Sequence, residues 1–282
     1  MPELPEVQNT INGLIKKVLN RTFIDVWTDI KRFKNIKQKI KNKKIKKLYR
    51  RGKNIIFELS DNFSLLVHQK MTGHLLYGEW ILKYGKWQPI KNKNLEDPYN
   101  RFLHIIFFLD NKKMLALSDV RKFAKIKFYK TEELKKELEK LGPEPLDKNF
   151  TFEKFKKLFE KKSGKIKQVL MDQNVISGIG NIYASEVLWV SKIHPEKSVA
   201  KLSEKELKFL YKAIKKVLEI SVKLGGESFS DYRKPDGSKG GFDSERKVYK
   251  RENQKCKRCK TLIKRIKIGQ RSSFFCPICQ KL

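Results

Sequence analysis

Residues 55–68 read IIFELSDNFSLLVH, two short runs of Ile, Leu, Phe and Val on either side of Ser60-Asp61-Asn62. β-branched and aromatic residues suit a pleated backbone and the polar triplet supplies turn chemistry, so the stretch reads as two strands joined by a tight connection. The same pattern recurs in FLHIIFFL at 102–109, closed by Asp110-Asn111, and in KIKFYK at 125–130. Short strands at this spacing between residues 20 and 128 fit a β-sandwich or barrel-like domain. Upstream the period changes. Val7, Ile11, Leu14, Ile15 and Val18 recur at helical intervals, which places a helix directly after the proline-rich start.

Downstream the pattern turns helical. Thr131 is placed to cap a short helix carrying Leu134, Leu138 and Leu141, and Gly142-Pro143 ends it. Phe152, Phe155, Leu158 and Phe159 form one apolar face. A later helix opens on the capping box Ser203-x-x-Glu206, runs through Leu207, Leu210, Ile214 and Val217, and stops at Gly225-Gly226. Residues 227–246, ESFSDYRKPDGSKGGFDSER, are rich in Ser, Gly, Asp and charge and are expected to form a mobile loop. The expected class is α+β in two domains: an N-terminal β-sandwich with flanking helices over 1–130, a linker at 131–150, a helical domain at 151–246, and a terminal module at 247–282.

The 282 residues suffice for two cores and a small appendage. With 39% hydrophobic and 11% aromatic residues the chain has the apolar material of a globular protein despite 34% charged residues. Sixty-five Lys and Arg against 31 Asp and Glu leave a formal charge of +34, which attracts a polyanion and makes nucleic acid the leading partner. Lysines on solvated faces account for part of that excess, so charge alone does not decide. No run approaches the ~20 apolar residues that span a bilayer. The start MPELPEVQNT is unlike a signal peptide, so an intracellular, cytoplasmic protein with no membrane partner is expected.

The four cysteines, Cys256, Cys259, Cys276 and Cys279, form CKRC, 16 intervening residues and CPIC. This is the ligand number and spacing of a four-cysteine zinc ribbon, in which two tight turns each present two thiolates to one tetrahedral Zn2+. Paired disulfides are the competing reading, disfavoured by a reducing compartment. A closed four-thiolate site leaves no position for substrate, so the ion is structural. Between the pairs, TLIKRIKIGQRSSFF alternates around Gly269, predicting a β-hairpin with Arg271 near its tip. Read locally, Arg271 is equally a solvated side chain or a guanidinium that forks onto a phosphate.

A proline inside a chain is an amide. If Met1 is removed, Pro2 becomes a secondary amine, and an α-amino pKa near ~8 leaves a usable fraction neutral and nucleophilic. Six ordered motifs bear on that possibility: MPELPEV at the start, RRGKNIIFEL at 50–59, HQKMTG at 68–73, LSDVRKF at 117–123, LMDQNVISGIGNIYASEVL at 170–188, and VYKREN with the two cysteine pairs and GQRSSFFCPICQ at 248–280. Together they resemble the formamidopyrimidine-DNA glycosylase family, also called 8-oxoguanine DNA glycosylase/AP lyase, and the resemblance spans the chain.

The resemblance implies a base excision repair enzyme, a bifunctional DNA glycosylase and lyase for oxidised purines, acting as a monomer on damaged double-stranded DNA at the bacterial nucleoid without an organic cofactor. Pro2 matches the nucleophile and Glu3 the catalytic acid, with Glu6 supporting the N-terminus. Lys53 matches the lysine that approaches the backbone at the lesion, and Arg271 the hairpin arginine that grips phosphate, which resolves its local ambiguity. Met71, Arg121 and Phe123 match the residues that fill the void left by the flipped nucleotide, a role for which wedge side chains are suited. Ser177, Gly178 and Gly180 open a helix within what is similar to the family's helix–two-turn–helix motif, with Asn181 at a phosphate and Lys167 as an upstream contact. The loop 227–246 corresponds to the lid over the extruded base. Gln69, Lys70, Lys122 and Gly240-Gly241-Phe242 depart from the family's commoner residues and bear on DNA contacts and lesion preference. Two alternatives stand: an endonuclease VIII-like enzyme for oxidised pyrimidines, whose branch more often begins PEGPE, and a non-catalytic zinc-ribbon DNA-binding protein.

Overall fold

In the computed structural model, which describes residues 1–282, the chain divides into two compact units, Met1–Glu139 with Leu224–Asp243, and Lys140–Lys223 with Ser244–Leu282. The first opens with helix α1 (Leu4–Val18), strand β1 (Phe23–Thr28) and the short α2 (Ile36–Ile40). Strands β2 (Ile45–Arg51), β3 (Asn54–Leu59), β4 (Phe63–His68) and β5 (His74–Gly78) follow, then a small ribbon of β6 (Trp80–Lys83) and β7 (Lys86–Pro89). Strands β8 (Leu103–Leu109), β9 (Met114–Ser118) and β10 (Lys125–Lys130) and helix α3 (Thr131–Glu139) complete it.

Two antiparallel four-stranded sheets result, ordered β1-β8-β9-β5 and β10-β4-β3-β2. They share one core. Phe23 of the first sheet lies 6.5 Å from Phe57 of the second and 5.5 Å from Phe107, and Val7, Ile11, Leu14 and Val18 of α1 are buried in the same cluster. The expected sandwich is therefore present, with α1 packed along β2, β3 and β5.

The continuous apolar run of β8 has a physical cause. Ile105, Phe107 and Leu109 enter the core between the sheets, while Ile106 joins Leu103, Trp80 and Leu95 in a second cluster. A register shift between Leu103 and Ile105 turns Leu103 to the side of Ile106, as a bulge does when it breaks the two-residue alternation.

The second unit holds α4 (Phe152–Glu160), α5 (Ile166–Met171), α6 (Asn181–Val190) and α7 (Glu204–Lys223), followed by the hairpin β11 (Lys264–Ile268) and β12 (Arg271–Phe275). The capping box is formed: Ser203 N–H donates to Glu206 Oε2 at 2.9 Å and Glu206 N–H to Ser203 Oγ at 3.3 Å. Phe155 and Phe159 pack as tilted rings at 4.6 Å, and Tyr211 of α7 packs on Phe155 at 5.6 Å.

Packing groups two segments differently from the expected boundaries at 130, 150 and 246. Residues 131–139 are not a free linker, because Leu134 and Leu138 are buried and Ser64 Oγ meets Thr131 Oγ1 at 2.9 Å. Nor is 227–246 a mobile appendage of the helical part. Residues 224–243 pack within the sandwich unit, with Tyr232 and Arg233 buried. Pro235 C=O accepts from Tyr77 N–H at 2.8 Å, Tyr232 O–H donates to Glu6 C=O at 2.9 Å, and Arg233 faces Asp97 at 3.0 Å as an ion pair. Despite the Ser/Gly/Asp composition, Phe242 and Arg246 are buried as well as Tyr232 and Arg233.

Candidate active site and metal centre

Pro2, Glu3 and Glu6 are all buried at the head of α1. Glu3 N–H donates to Glu6 Oε2 at 2.8 Å, the reciprocal half of a helix capping arrangement. The other oxygen, Glu6 Oε1, accepts from Glu227 N–H at 2.7 Å. One carboxylate thus ties the N-terminal residues to the 225–232 segment. Gly226 permits this: its φ is +84°, and a Cβ there would sit 2.9 Å from Glu6 Oε1. Glu227 itself is buried with Asp243 and Glu6 nearby. Burial first, then those two carboxylates, push its pKa up to about 8.

Lys53 follows Gly52, whose φ of +57° makes the tight turn between β2 and β3, and its side chain is largely buried. Close by, His68 is neutral: burial, reinforced by the charges of Lys70 and Lys53, lowers its pKa to about 4. Its Nδ1 accepts from Lys70 N–H at 3.0 Å and shapes the backbone leading into Met71.

Met71 and Phe123 line a cavity of about 590 Å3 together with Arg32 and Lys70. Phe123 is 50% exposed, unusual for an aromatic ring that serves no core. Arg121 stacks on it at 4.5 Å. Beneath them Asp119 is buried. Its Oδ1 accepts from the Thr72 hydroxyl and from Arg121 N–H at 3.3 Å, and its Oδ2 from Ala124 N–H at 2.8 Å.

In the second unit, Asn181 is the first residue of α6, preceded by Gly178 at φ +90° and by Gly180. Its Nδ2 donates to Ser272 C=O at 3.0 Å, next to Arg271 in β12. The hairpin turn Gly269-Gln270 has both residues at positive φ, and Arg271, paired with Ile268, is exposed at its edge. A Cβ on Gly269 would lie 2.7 Å from Gln168 Nε2 of α5, so α5 and α6 together hold the hairpin tip. Lys167 is a correction. Expected at a phosphate, it is 1% exposed, and its ammonium donates inward to Asn181 C=O at 2.9 Å and Ser185 Oγ at 2.6 Å.

The ligand atoms of Cys256, Cys259, Cys276 and Cys279 lie within 4.8 Å of one another, and all four are free thiols. Cys259 and Cys276 sulfurs are 3.3 Å apart, far beyond an S–S bond of ~2.05 Å. Trp189 Nε1–H and Arg258 N–H both point at Cys256 Sγ at 3.4 Å, donors that favour thiolate character. The donor set fits a tetrahedral zinc ion.

Sequence reasoning missed Glu186. It is fully enclosed in α6, where Oε1 accepts from Val248 N–H at 3.0 Å and Tyr249 N–H at 2.7 Å, and Oε2 from Lys247 N–H at 2.7 Å. Burial pushes its carboxyl up, opposed by those three donors and by Arg246. A signal was available: Glu186 is the one charge in NIYASEVLWV.

Family models match end to end. Residues 1–126 fit the formamidopyrimidine-DNA glycosylase N-terminal domain, 141–233 the formamidopyrimidine-DNA glycosylase H2TH domain, and 253–282 the zinc finger found in FPG and IleRS. The chain belongs to the formamidopyrimidine-DNA glycosylase family. The enzyme of that name from Ligilactobacillus salivarius is 38% identical over 287 residues, covering 99% of each chain. Among solved structures, a Lactococcus lactis variant bound to Fapy-dG-containing DNA is 33% identical with a TM-score of 0.86, covering 100% of both chains. The L. lactis enzyme with abasic-site DNA gives 33% and 0.86, covering 99% of this chain and 100% of that one. The architecture is thus that of the family's sandwich, helix–two-turn–helix and four-cysteine finger, and the chain is a DNA glycosylase with a zinc-finger module. No helix is long and apolar enough to cross a membrane.

Proposed function

We propose that the chain excises 8-oxoguanine and formamidopyrimidines from duplex DNA and then cleaves the abasic site, as a monomer needing no organic cofactor, with Pro2 as nucleophile once Met1 is removed. One observation carries the reading: Pro2 and Glu3 are buried at the head of α1 with the Glu3 N–H fixed on Glu6, which is how a reactive terminus is held to one trajectory. The Pro2 nitrogen attacks C1′, and the N-glycosidic bond breaks with its electron pair leaving on the base. Glu3 delivers a proton to the ring oxygen as the sugar opens to an iminium. Loss of a C2′ proton then expels the 3′ phosphate, and a second elimination expels the 5′ phosphate, leaving a gap with both ends phosphorylated.

Lys53 and Arg271 serve the phosphates, Glu6 orients the terminus, Met71 and Phe123 fill the vacated stack, and Arg121 faces the orphaned base. Asn181 acts at the phosphates through the Ser272–Arg271 hairpin that it holds. Cys256, Cys259, Cys276 and Cys279 hold one structural Zn2+, which staples the hairpin and takes no part in the chemistry. Borohydride reduction during reaction with an 8-oxoguanine:cytosine duplex traps the iminium as a covalent adduct. Pro2→Gly abolishes or sharply slows the trapping. A variant that cuts as fast as wild type, or faster excision of thymine glycol than of 8-oxoguanine, overturns the proposal.

A further inference from the structure

Asp119, Arg32 and Thr72 have no role in the chemistry above, yet they converge on the two loops that carry Met71, Arg121 and Phe123. From inside, the Asp119 carboxylate takes the N–H groups of Arg121 and Ala124. From outside, the Arg32 guanidinium donates to the carbonyls of Lys122 at 2.5 Å and Ala124 at 3.2 Å. Lys122 sits at φ +56°, an unfavourable conformation for a side chain other than Gly, Asn or Asp, and one that persists only where its surroundings enforce it. The backbone on both sides of Phe123 is therefore gripped, while the ring itself is half exposed. The third link crosses loops: the Thr72 hydroxyl donates to the same Asp119 oxygen that receives Arg121 N–H, and a second bond of 3.2 Å runs from Arg121 N–H to Thr72 Oγ1.

We propose that Asp119, clamped by Arg32 and bridged by Thr72, makes the Met71 loop and the Arg121–Phe123 loop one rigid wedge, so that the void-filling side chains insert together rather than in turn. The inference rests on the reading of Met71 and Phe123 as void fillers. These three are positioning residues. They set the backbone from which the wedge projects, and an ordered wedge loses less conformational entropy on insertion than two independent loops.

Cooperation between the loops is directly measurable. Single-turnover excision of 8-oxoguanine opposite cytosine is compared for wild type, Met71→Ala, Phe123→Ala and the double variant, first in the natural background and then with Thr72→Val. In the natural background the effects are non-additive by more than about twofold, the sign of coupled neighbours. With Thr72→Val the coupling falls to within experimental error, whereas Thr72→Ser, which keeps the hydroxyl, retains it. A purely structural role would shift thermal stability and leave the coupling factor unchanged. Coupling that survives Thr72→Val overturns the proposal. If Thr72→Val does not fold, Thr72→Ala supplies the test: it likewise deletes the hydroxyl that joins the two loops, and the coupling must fall. Should neither Met71→Ala nor Phe123→Ala slow excision, it is the void-filling reading that fails.

Discussion

Replacing Glu186 by Gln changes one oxygen to an amide and leaves the shape intact, so its effect isolates the electrostatics of the anchor. In the native arrangement three backbone N–H groups, of Lys247, Val248 and Tyr249, converge on two oxygens. Glutamine keeps one oxygen, which serves Val248 and Tyr249, and turns an NH2 toward Lys247 N–H. That loses one hydrogen bond to a charged group, worth about 1.5–3 kcal/mol, and leaves a buried donor facing a donor, for about 1–3 kcal/mol more. The reverse placement of the amide leaves two donors facing it and costs more still. Together these make about 2.5–6 kcal/mol, and at the ~2–4 °C per kcal/mol typical of larger domains even the lower end drops Tm by roughly 5–10 °C. Differential scanning calorimetry reads this directly. Because 247–249 leads into the cysteine module, Glu186→Gln also releases zinc to a colorimetric chelator faster than wild type, and strand scission falls more than base release. A Tm within about 2 °C of wild type, with unchanged zinc release, would refute the anchor.

Three further outcomes follow from the same geometry. Stripping the metal with a strong chelator leaves two five-residue strands with no staple, and since an isolated hairpin is marginal in water, lyase activity is lost and returns on adding one equivalent of Zn2+. Glu227 ionises near 4.5 when unfolded but at about 8 when folded. Its contribution to stability is therefore complete below about pH 4.5, declines as pH rises through that window and is gone above about 8, a few kcal/mol in all. Denaturant unfolding from pH 5 to 9 shows the decline, and Glu227→Gln flattens it. Gly226→Ala places a methyl 2.9 Å from Glu6 Oε1 at φ +84°; strain of about 1 kcal/mol or more and displacement of Glu6 lower both Tm and the rate of borohydride trapping, and an unchanged trapping rate severs Glu6 from the N-terminus.

What could be read from the chain without coordinates was whatever depends on local chemistry. The strands at 55–59, 64–68 and 102–109, the helix from Val7 to Val18 and the Ser203–Glu206 box were legible because side-chain period and capping act within a few residues. The cysteine cluster was legible because tetrahedral coordination dictates spacing. Loop 227–246 was misread for the opposite reason: its burial is set by partners more than a hundred residues away, Tyr77 and Asp97, which composition does not encode. Lys167 fails similarly, since a lysine in a +34 chain looks solvated until Asn181 and Ser185 are found around its ammonium.

The residues that sequence passed over, Asp119, Glu186 and Glu6 in its second attachment, share one device. Each is a buried carboxylate whose acceptors are filled by backbone N–H groups of a segment that carries function: Arg121 and Ala124, Lys247 to Tyr249, Glu3 and Glu227. Backbone N–H groups need an acceptor, which a lysine or arginine cannot supply; where Arg32 holds the same loop as Asp119, it takes the carbonyls instead. A buried carboxylate is repelled by phosphate and binds only the protein. A polyanionic substrate is drawn to the basic surface and has no attraction for these acidic anchors. Salt separates the two kinds of contact: raising ionic strength weakens DNA binding steeply through counterion release, while the effect of Glu186→Gln on Tm, arising from hydrogen bonds sealed from solvent, stays nearly constant across the same range.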